Sequence, residues 1–332
     1  MVAPFFSVVI PVHNRAAALA LAIESVRAQS FQDFEIVVVD DGSKDDPRTA
    51  IETFNDPRIR FIRQANAGGG AARNTGIDQA QGRFVAFLDS DDVFLPHHLE
   101  SMHALLKDSD GLVGYARVRV DRGAEAQVFL KPPRALRPDE PMANYLLCDR
   151  GFTPTITMVV PRHAAARIRF DEHLRVAEDS DFAIRLSLAG YRFVMLQRPG
   201  AVWKDGFDPD RLSASRGGEE MNAWLERLKP QLPARAWHGA RGWAYAKLIA
   251  PQSPRRALGL YLNAVLRGCY RPGLAATVFL QIFLTPSAYR RLADSGIRLL
   301  HLGLRENGTG KNSLTLPAPP FAKRGRLNET GP

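Results

Sequence analysis

Runs of β-branched and aromatic residues recur along the first 120 positions, at 5–12, 34–39, 58–62, 82–88 and 112–120. The run Phe84-Val85-Ala86-Phe87-Leu88 contains no polar position, the pattern of a strand buried on both faces of a parallel sheet. Helical spacing fills the gaps. Leu19, Leu21, Ile23 and Val26 recur at helical intervals within 16–29, and helices are also expected over 46–54, 71–80 and 96–106. Strands alternating with helices imply βαβ units, hence a parallel sheet with right-handed crossovers. Further on, 155–160 is apolar again, 177–188 carries helical spacing and 191–195 reads as a strand, with a proline-rich surface excursion at 132–141.

From 216 the pattern is helical, interrupted at Pro230, Pro251, Pro254, Pro272 and Pro286. The tail from Asn307 is rich in Gly, Asn, Ser, Pro and Lys, a composition that favours disorder. No internal repeat is visible. The expected organisation is two halves of one α/β domain, 1–120 and 121–215, then a helical region at 216–306 and a disordered tail at 307–332.

Composition changes this picture in one respect. The chain is 45% hydrophobic and 24% charged, ordinary for a globular protein with a sizeable core. Its net charge of +9 is unevenly placed: residues 216–332 carry 18 Lys+Arg against 6 Asp+Glu, and residues 1–215 are slightly acidic. A basic appendage on an acidic body seeks anionic partners such as lipid headgroups, nucleic acid or phosphorylated substrates. Its bland alternative is a solvated surface. No nucleic-acid-reading motif accompanies it, so a nucleic-acid partner is not expected. Two cysteines, Cys148 and Cys269, supply neither a disulfide framework nor metal-ligand spacing. The N-terminus lacks the basic and long apolar regions of a signal peptide, and the apolar tract at 273–284 is too short to span a bilayer. The expectation is a cytoplasmic protein, peripheral on the inner face of the membrane.

Three predicted strand ends carry polar clusters: Pro11-Val12-His13-Asn14, Asp40-Asp41-Gly42-Ser43, and Asp89-Ser90-Asp91-Asp92. Ligands of open α/β sheets bind just beyond the carboxyl ends of strands. Carboxylates this close repel one another unless a cation lies among them, and hard divalent cations take oxygen ligands. A solvated acidic turn is the bland reading of 89–92. The turn after the first strand has no glycine, which disfavours the dinucleotide fingerprint and the P-loop alike.

The ordered strings SVVIPVHN, VVVDDGS, NAGGGAARNTGI and FLDSDD, with the later VAEDSDF, resemble a family 2 glycosyltransferase of the inverting GT-A fold over roughly residues 5–215. The resemblance implies a nucleotide-binding, mostly parallel sheet flanked by helices, here with a helical C-terminal extension. It implies that Pro11 flanks the nucleotide base and Asn14 lies in the same donor turn. Asp41 would accept from the base's imide nitrogen, or else serve as a turn residue. Arg73 and Asn74 would sit beside the donor, with Arg73 near the diphosphate. Asp89 would reach the ribose or the metal, and Asp91 would ligate Mg²⁺ or Mn²⁺. Asp179, in the acidic pair with Glu178, would be the general base; the alternative for the pair is an acidic helix start favoured by the helix dipole. Family members often carry an H-P-G-S-L-S segment after that pair. Here the match is Asp208-Pro209-Asp210-Arg211-Leu212-Ser213, with Asp208 where the histidine stands, still an oxygen donor.

The implied activity is metal-dependent transfer of a hexosyl or N-acetylhexosaminyl group from a nucleotide-sugar donor, UDP-linked, to a glycan or lipid-linked acceptor hydroxyl in polysaccharide or cell-envelope synthesis. One alternative is a sugar-1-phosphate nucleotidyltransferase, which would want a glycine-rich N-terminal loop that is absent. Another is a catalytically silent nucleotide-sugar-binding subunit, which predicts loss of some acidic pairs. The stretches ALGLYLNAVL (257–266) and LAATVFLQIFL (274–284), flanked by arginines, read either as helices lying on an anionic membrane or as helices packed on the catalytic body.

Overall fold

The computed structural model describes residues 3–121, 129–174, 176–204, 218–285, 287–289 and 291 of the chain. Asp208 and the tail from Asn307 lie outside the described residues. Met1–Leu284 form one compact unit, and Thr285–Pro332 are grouped as a second.

The first half alternates as the hydrophobic pattern predicts: β1 (Phe6–Val12), α1 (Ala16–Arg27), β2 (Phe34–Asp41), α2 (Pro47–Glu52), β3 (Ile59–Gln64), α3 (Gly69–Gln79) and β4 (Phe84–Phe87). β1 pairs with β2 and β4, and β2 with β3, all parallel. Period-2 geometry explains the unbroken apolar runs. Val9, Val37, Val39, Val85 and Phe87 enter the core on one face, while Val8, Ile10, Ile36, Val38 and Ala86 enter the core on the other with α1's Leu19, Ile23 and Val26.

The second half is mixed. It comprises β5 (Val93–Phe94), α4 (His98–Leu106), β6 (Leu112–Asp121), β7 (Phe129–Lys131), α5 (Met142–Cys148), β8 (Val159–Pro161), α6 (Arg162–Ile168), α7 (Glu178–Leu188) and β9 (Arg192–Lys204). The sheet order is β3-β2-β1-β4-β8-β6-β9-β5, with β7 on β6. β8 is antiparallel to both β4 and β6, β9 is parallel to β6, and β5 is antiparallel to β9. β9 runs well past the expected 191–195. The polar stretch Gln197-Arg198-Pro199-Gly200 ended the apolar signal, but a register shift opposite Ala116–Val118 absorbs it and pairing resumes at Ala201.

Two glycines of the sequence motifs have steric causes. A Cβ on Gly76 would lie 2.2 Å from Val9 Cγ1, so the NTGI glycine lets α3 press onto β1. Gly42 has φ +73°, and a Cβ there would meet Asn66 N at 2.8 Å.

The C-terminal region contributes α8 (Gly218–Leu228), α9 (Ala234–Ala240), a π-helical turn at Arg241–Tyr245, α10 (Ala246–Ile249), α11 (Pro254–Leu266) and α12 (Pro272–Phe283). It packs into the body of the fold: Met221, Trp224, Leu225 and Leu228 of α8 share a core with Phe87 and with Phe182 of α7. Trp224 Nε1 donates to Asp181 Oδ1 at 2.7 Å, both groups 1% exposed, and Arg185 Nε donates to Asp181 Oδ2 at 2.7 Å. Trp224→Phe keeps an aromatic ring but removes the indole N–H and strands a buried carboxylate oxygen. The expected cost is about 1–3 kcal/mol, read as a lowered denaturant midpoint.

Candidate active site

The site is assembled where β1, β2, β3 and β4 end. Leu88 N donates to Val9 O, and beyond it β1 and β4 part. Pro11 sits in the freed end of β1, opposite Val39 of β2 only, where a missing N–H does least damage. Asn14 adopts the left-handed conformation, φ 53°, which its short polar side chain tolerates better than most. Its N donates to Ser43 Oγ at 3.0 Å and its Oδ1 accepts from Lys44 N at 2.7 Å, tying the first turn to the second. His13 Nδ1 donates to Asp41 O at 2.8 Å. Asp41 joins in the third turn: Oδ1 accepts from Gln64 Nε2 and Ala67 N, and Oδ2 from Gly68 N, each at 2.8 Å. The buried Asp40 caps the same turn, accepting from Ser43 N at 2.8 Å.

The three aspartates of the 89–92 turn diverge. Asp92 is buried and accepts from Lys204 N of β9 at 2.8 Å; burial, reinforced by neighbouring Asp89 and Asp91, pushes its carboxyl up to about 8. Asp91 pairs with Arg15. Asp89 turns to α3, where Arg73 Nη2 donates to its Oδ1 at 2.7 Å.

Arg73 is the hub. Its Nη1 donates to Glu178 Oε2 at 3.1 Å, so one guanidinium joins the end of β4 to the start of α7. The group lies over the Phe170 ring at 5.4 Å, and Phe170 stacks on Phe182 of α7 at 4.1 Å. Burial alone would lower the guanidinium's pKa, but Asp89, Asp179 and Glu178 outweigh it and hold the charge firmly. Asp179 follows Glu178 in the first turn of α7. Burial raises its carboxyl above the ordinary range while the Arg73 charge pulls it back. Directly before the pair, Ala177 holds φ 65°, a conformation costing a non-glycine residue roughly 1–2 kcal/mol. Such strain aims the first turn of α7 at the cluster and is characteristic of functional sites.

The expected site residues are therefore largely brought together. Arg73, Asp89, Glu178 and Asp179 form one cluster, while Pro11, Asn14 and Asp41 lie in the adjoining turns. Asn74 sits next to Arg73 but faces inward. It is 1% exposed, its Nδ2 donates to Phe170 O and to Glu172 Oε1 at 2.9 and 2.7 Å, and its Oδ1 accepts from Phe170 N at 2.8 Å. Its role here is to brace the segment carrying Phe170. Asp208 lies outside the described residues. The sequence reading missed Arg15, Phe170 and Glu172. The only signal for Arg15 was a cationic residue adjoining Asn14, and Phe170 and Glu172 gave none.

Among the described residues no cluster of three or more His, Cys, Asp or Glu side chains is poised around a single point. The donor set still suits a Mg²⁺-like ion, which keeps several waters and takes one or two carboxylates plus substrate phosphates. Asp89 and Asp91 are hard oxygen donors two residues apart, and each already attracts a cationic group, Arg73 and Arg15.

The family model described as Glycosyl transferase family 2 matches residues 7–175, ending three residues before the Glu178–Asp179 pair. The chain is 32% identical over 245 residues to the amylovoran biosynthesis glycosyltransferase AmsB of Erwinia amylovora, covering 69% of this chain and 79% of that one. It is 31% identical over 249 residues to the succinoglycan biosynthesis protein ExoW of Rhizobium meliloti, covering 66% and 76%. Among solved structures, residues 1–349 of S. aureus TarS in complex with UDP-GlcNAc superpose with a TM-score of 0.59 at 18% identity, covering 91% and 92%. The mannosyltransferase PcManGT of Pyrobaculum calidifontis, in complex with GDP-Man and Mn²⁺, gives 0.54 at 18%, covering 90% and 88%. These structures share the GT-A fold with this chain, and on the family match and its relatives the chain belongs to glycosyl transferase family 2.

Proposed function

We propose that the protein is an inverting glycosyltransferase that moves a sugar from a nucleotide diphosphate donor, UDP-linked, to a hydroxyl of a glycan or lipid-linked acceptor in polysaccharide synthesis. The observation that carries this reading is the Arg73 hub, which sets a cation and the Asp179 carboxylate side by side at the strand ends. The relatives named for amylovoran and succinoglycan biosynthesis support the product class, and the bound UDP-GlcNAc and GDP-Man of the fold neighbours support the donor class.

The turns at 11–14, 41–43 and 66–68 receive the nucleotide. Arg73 lies where the diphosphate enters and offers positive charge to the departing group. The acceptor hydroxyl is a poor nucleophile and needs a base within reach of its proton. Asp179 takes that proton as the acceptor oxygen bonds to the anomeric carbon and the carbon–oxygen bond to the diphosphate breaks, its electron pair leaving with the diphosphate. Attack from the face opposite the leaving group inverts the anomeric centre. Asp91 and Asp89 would hold a divalent cation, which when bound supplies Lewis-acid stabilisation to the leaving phosphates. In the free protein Arg15 pairs with Asp91, so Arg15 would have to move aside for Asp91 to hold a cation.

The test couples binding to turnover. Asp91→Asn weakens Mn²⁺-dependent donor binding in calorimetry and cuts transfer by at least tenfold, a loss on the order of 1.4 kcal/mol in transition-state stabilisation, without lowering the thermal midpoint. Chelator on the unmodified protein reproduces the loss. Full transfer in excess chelator contradicts the metal assignment.

A further inference from the structure

The C-terminal helices are amphipathic the wrong way round. α11 turns small or aromatic side chains inward, burying Ala257, Tyr261 and Ala264, and leaves Leu258, Leu262 and Leu266 outside. These three leucines recur every fourth residue on one stripe, and Leu266 is 86% exposed. α12 buries Ala275, Val278 and Ile282 and leaves Phe279 and Leu280 exposed. The two helices lie side by side: Tyr261 Oη donates to Ala275 O at 3.0 Å, and the Tyr261 and Phe279 rings are 5.6 Å apart. Their outer faces thus adjoin as one apolar patch. Isolated exposed leucines are unremarkable, but a contiguous patch of large apolar side chains marks a contact surface.

The charge around the patch names the contact. Residues 227–293 contain eleven Lys+Arg and no Asp or Glu. Four exposed arginines border the patch: Arg255 and Arg256 in the first turn of α11, Arg267 at its end, and Arg271 at the N-cap of α12. Arg255, Arg256 and Arg271 stand at helix N-termini, where the dipole disfavours cations, so the helices themselves gain nothing from them. Among the described residues none of the four makes an ion pair; Arg256 lies over the Tyr245 ring and Arg267 bonds Asn263. No described helix is long and apolar enough to cross a membrane.

We propose that α11 and α12 form a docking face for an anionic lipid bilayer, with the leucines and Phe279 entering the acyl boundary and the four arginines on the headgroups. Helices with an apolar face and basic flanks bind in this way, by apolar burial plus attraction to anionic lipid. The inference does not depend on the donor or the base proposed above, because lipid binding is read without transfer.

The experiment is flotation of the full chain with phosphatidylcholine vesicles containing increasing phosphatidylglycerol. Binding should rise with phosphatidylglycerol and fall with salt. The quadruple variant Arg255→Gln, Arg256→Gln, Arg267→Gln, Arg271→Gln should bind nearly three orders of magnitude less, since each basic residue contributes about fivefold. The triple variant Leu258→Gln, Leu262→Gln, Leu266→Gln should lose flotation while keeping the thermal midpoint and nucleotide-sugar binding of the unmodified protein. Binding indifferent to lipid charge and salt, or unaltered in either variant, overturns the proposal. Absent binding overturns it as well; if the leucine variant then changes the mass measured by light scattering, the face belongs to a second copy of the chain.

Discussion

Asp179→Asn lowers the transfer rate by roughly 10²–10⁴-fold, the usual worth of a positioned general base, while donor affinity is retained. Asparagine preserves shape and hydrogen-bonding capacity but takes no proton. Single-turnover transfer measured beside calorimetric donor binding separates the two effects. A collapse of donor affinity instead would make Asp179 a donor-site residue. The unmodified enzyme should also show an acid limb in kcat/KM. The base works only as a carboxylate, so the rate falls as pH drops through its pKa. Burial raises that pKa above the ordinary 3.8, and the limb therefore lies at higher pH than for an exposed aspartate. In Asp179→Asn the limb disappears.

Arg73→Gln is expected to be the most destabilising of the site substitutions. It removes the cation shared by Asp89, Glu178 and Asp179, whose crowding is then uncompensated. Removing one partner of a buried ion pair costs about 3–5 kcal/mol; the lower end applies because the Asp89 side chain is 35% exposed and solvent screens it. A lowered thermal midpoint and weakened donor binding should appear together. Arg73→Lys restores charge without the two-pronged geometry, so it should recover part of the stability and less of the donor affinity. With the Arg73 charge gone, the Asp179 carboxyl loses the influence that pulls it down. In any residual activity of Arg73→Gln the acid limb moves to still higher pH.

How legible the protein was in its sequence varies along the chain. β1 to β4 and their helices were readable because strands buried on both faces leave continuous apolar runs. β5 and β7 were not, being two and three residues long. β9 was truncated in the reading because its polar middle is carried by a register shift that only the partner strand reveals. α5 followed a proline-rich stretch and left too short a period to detect. In the site, the acidic turns and the Glu178–Asp179 pair were visible as residue types at strand and helix ends. Their wiring was not, since Arg73 meets Glu178 across 105 residues and Asn74 meets Phe170 across 96. Asp41 illustrates the difference. The family resemblance assigns it to the nucleotide base, whereas both its oxygens already hold the backbone of Ala67 and Gly68, so any imide contact shares a carboxylate that also shapes the donor loop.

The C-terminal region offered two readings, helices on a membrane or helices packed on the body. The packing is present, through Trp224 and its neighbours on α7. The large apolar side chains of α11 and α12 nevertheless stay outside, which sequence periodicity alone could not assign to a face.

Direct displacement at the anomeric carbon, with Asp179 taking the acceptor proton, is tested most directly by the configuration of the new linkage. Proton NMR of the first product formed from an α-linked UDP-sugar reads it without inference. A β linkage is predicted; an α linkage would contradict displacement by a single base and require a different catalytic role for Asp179.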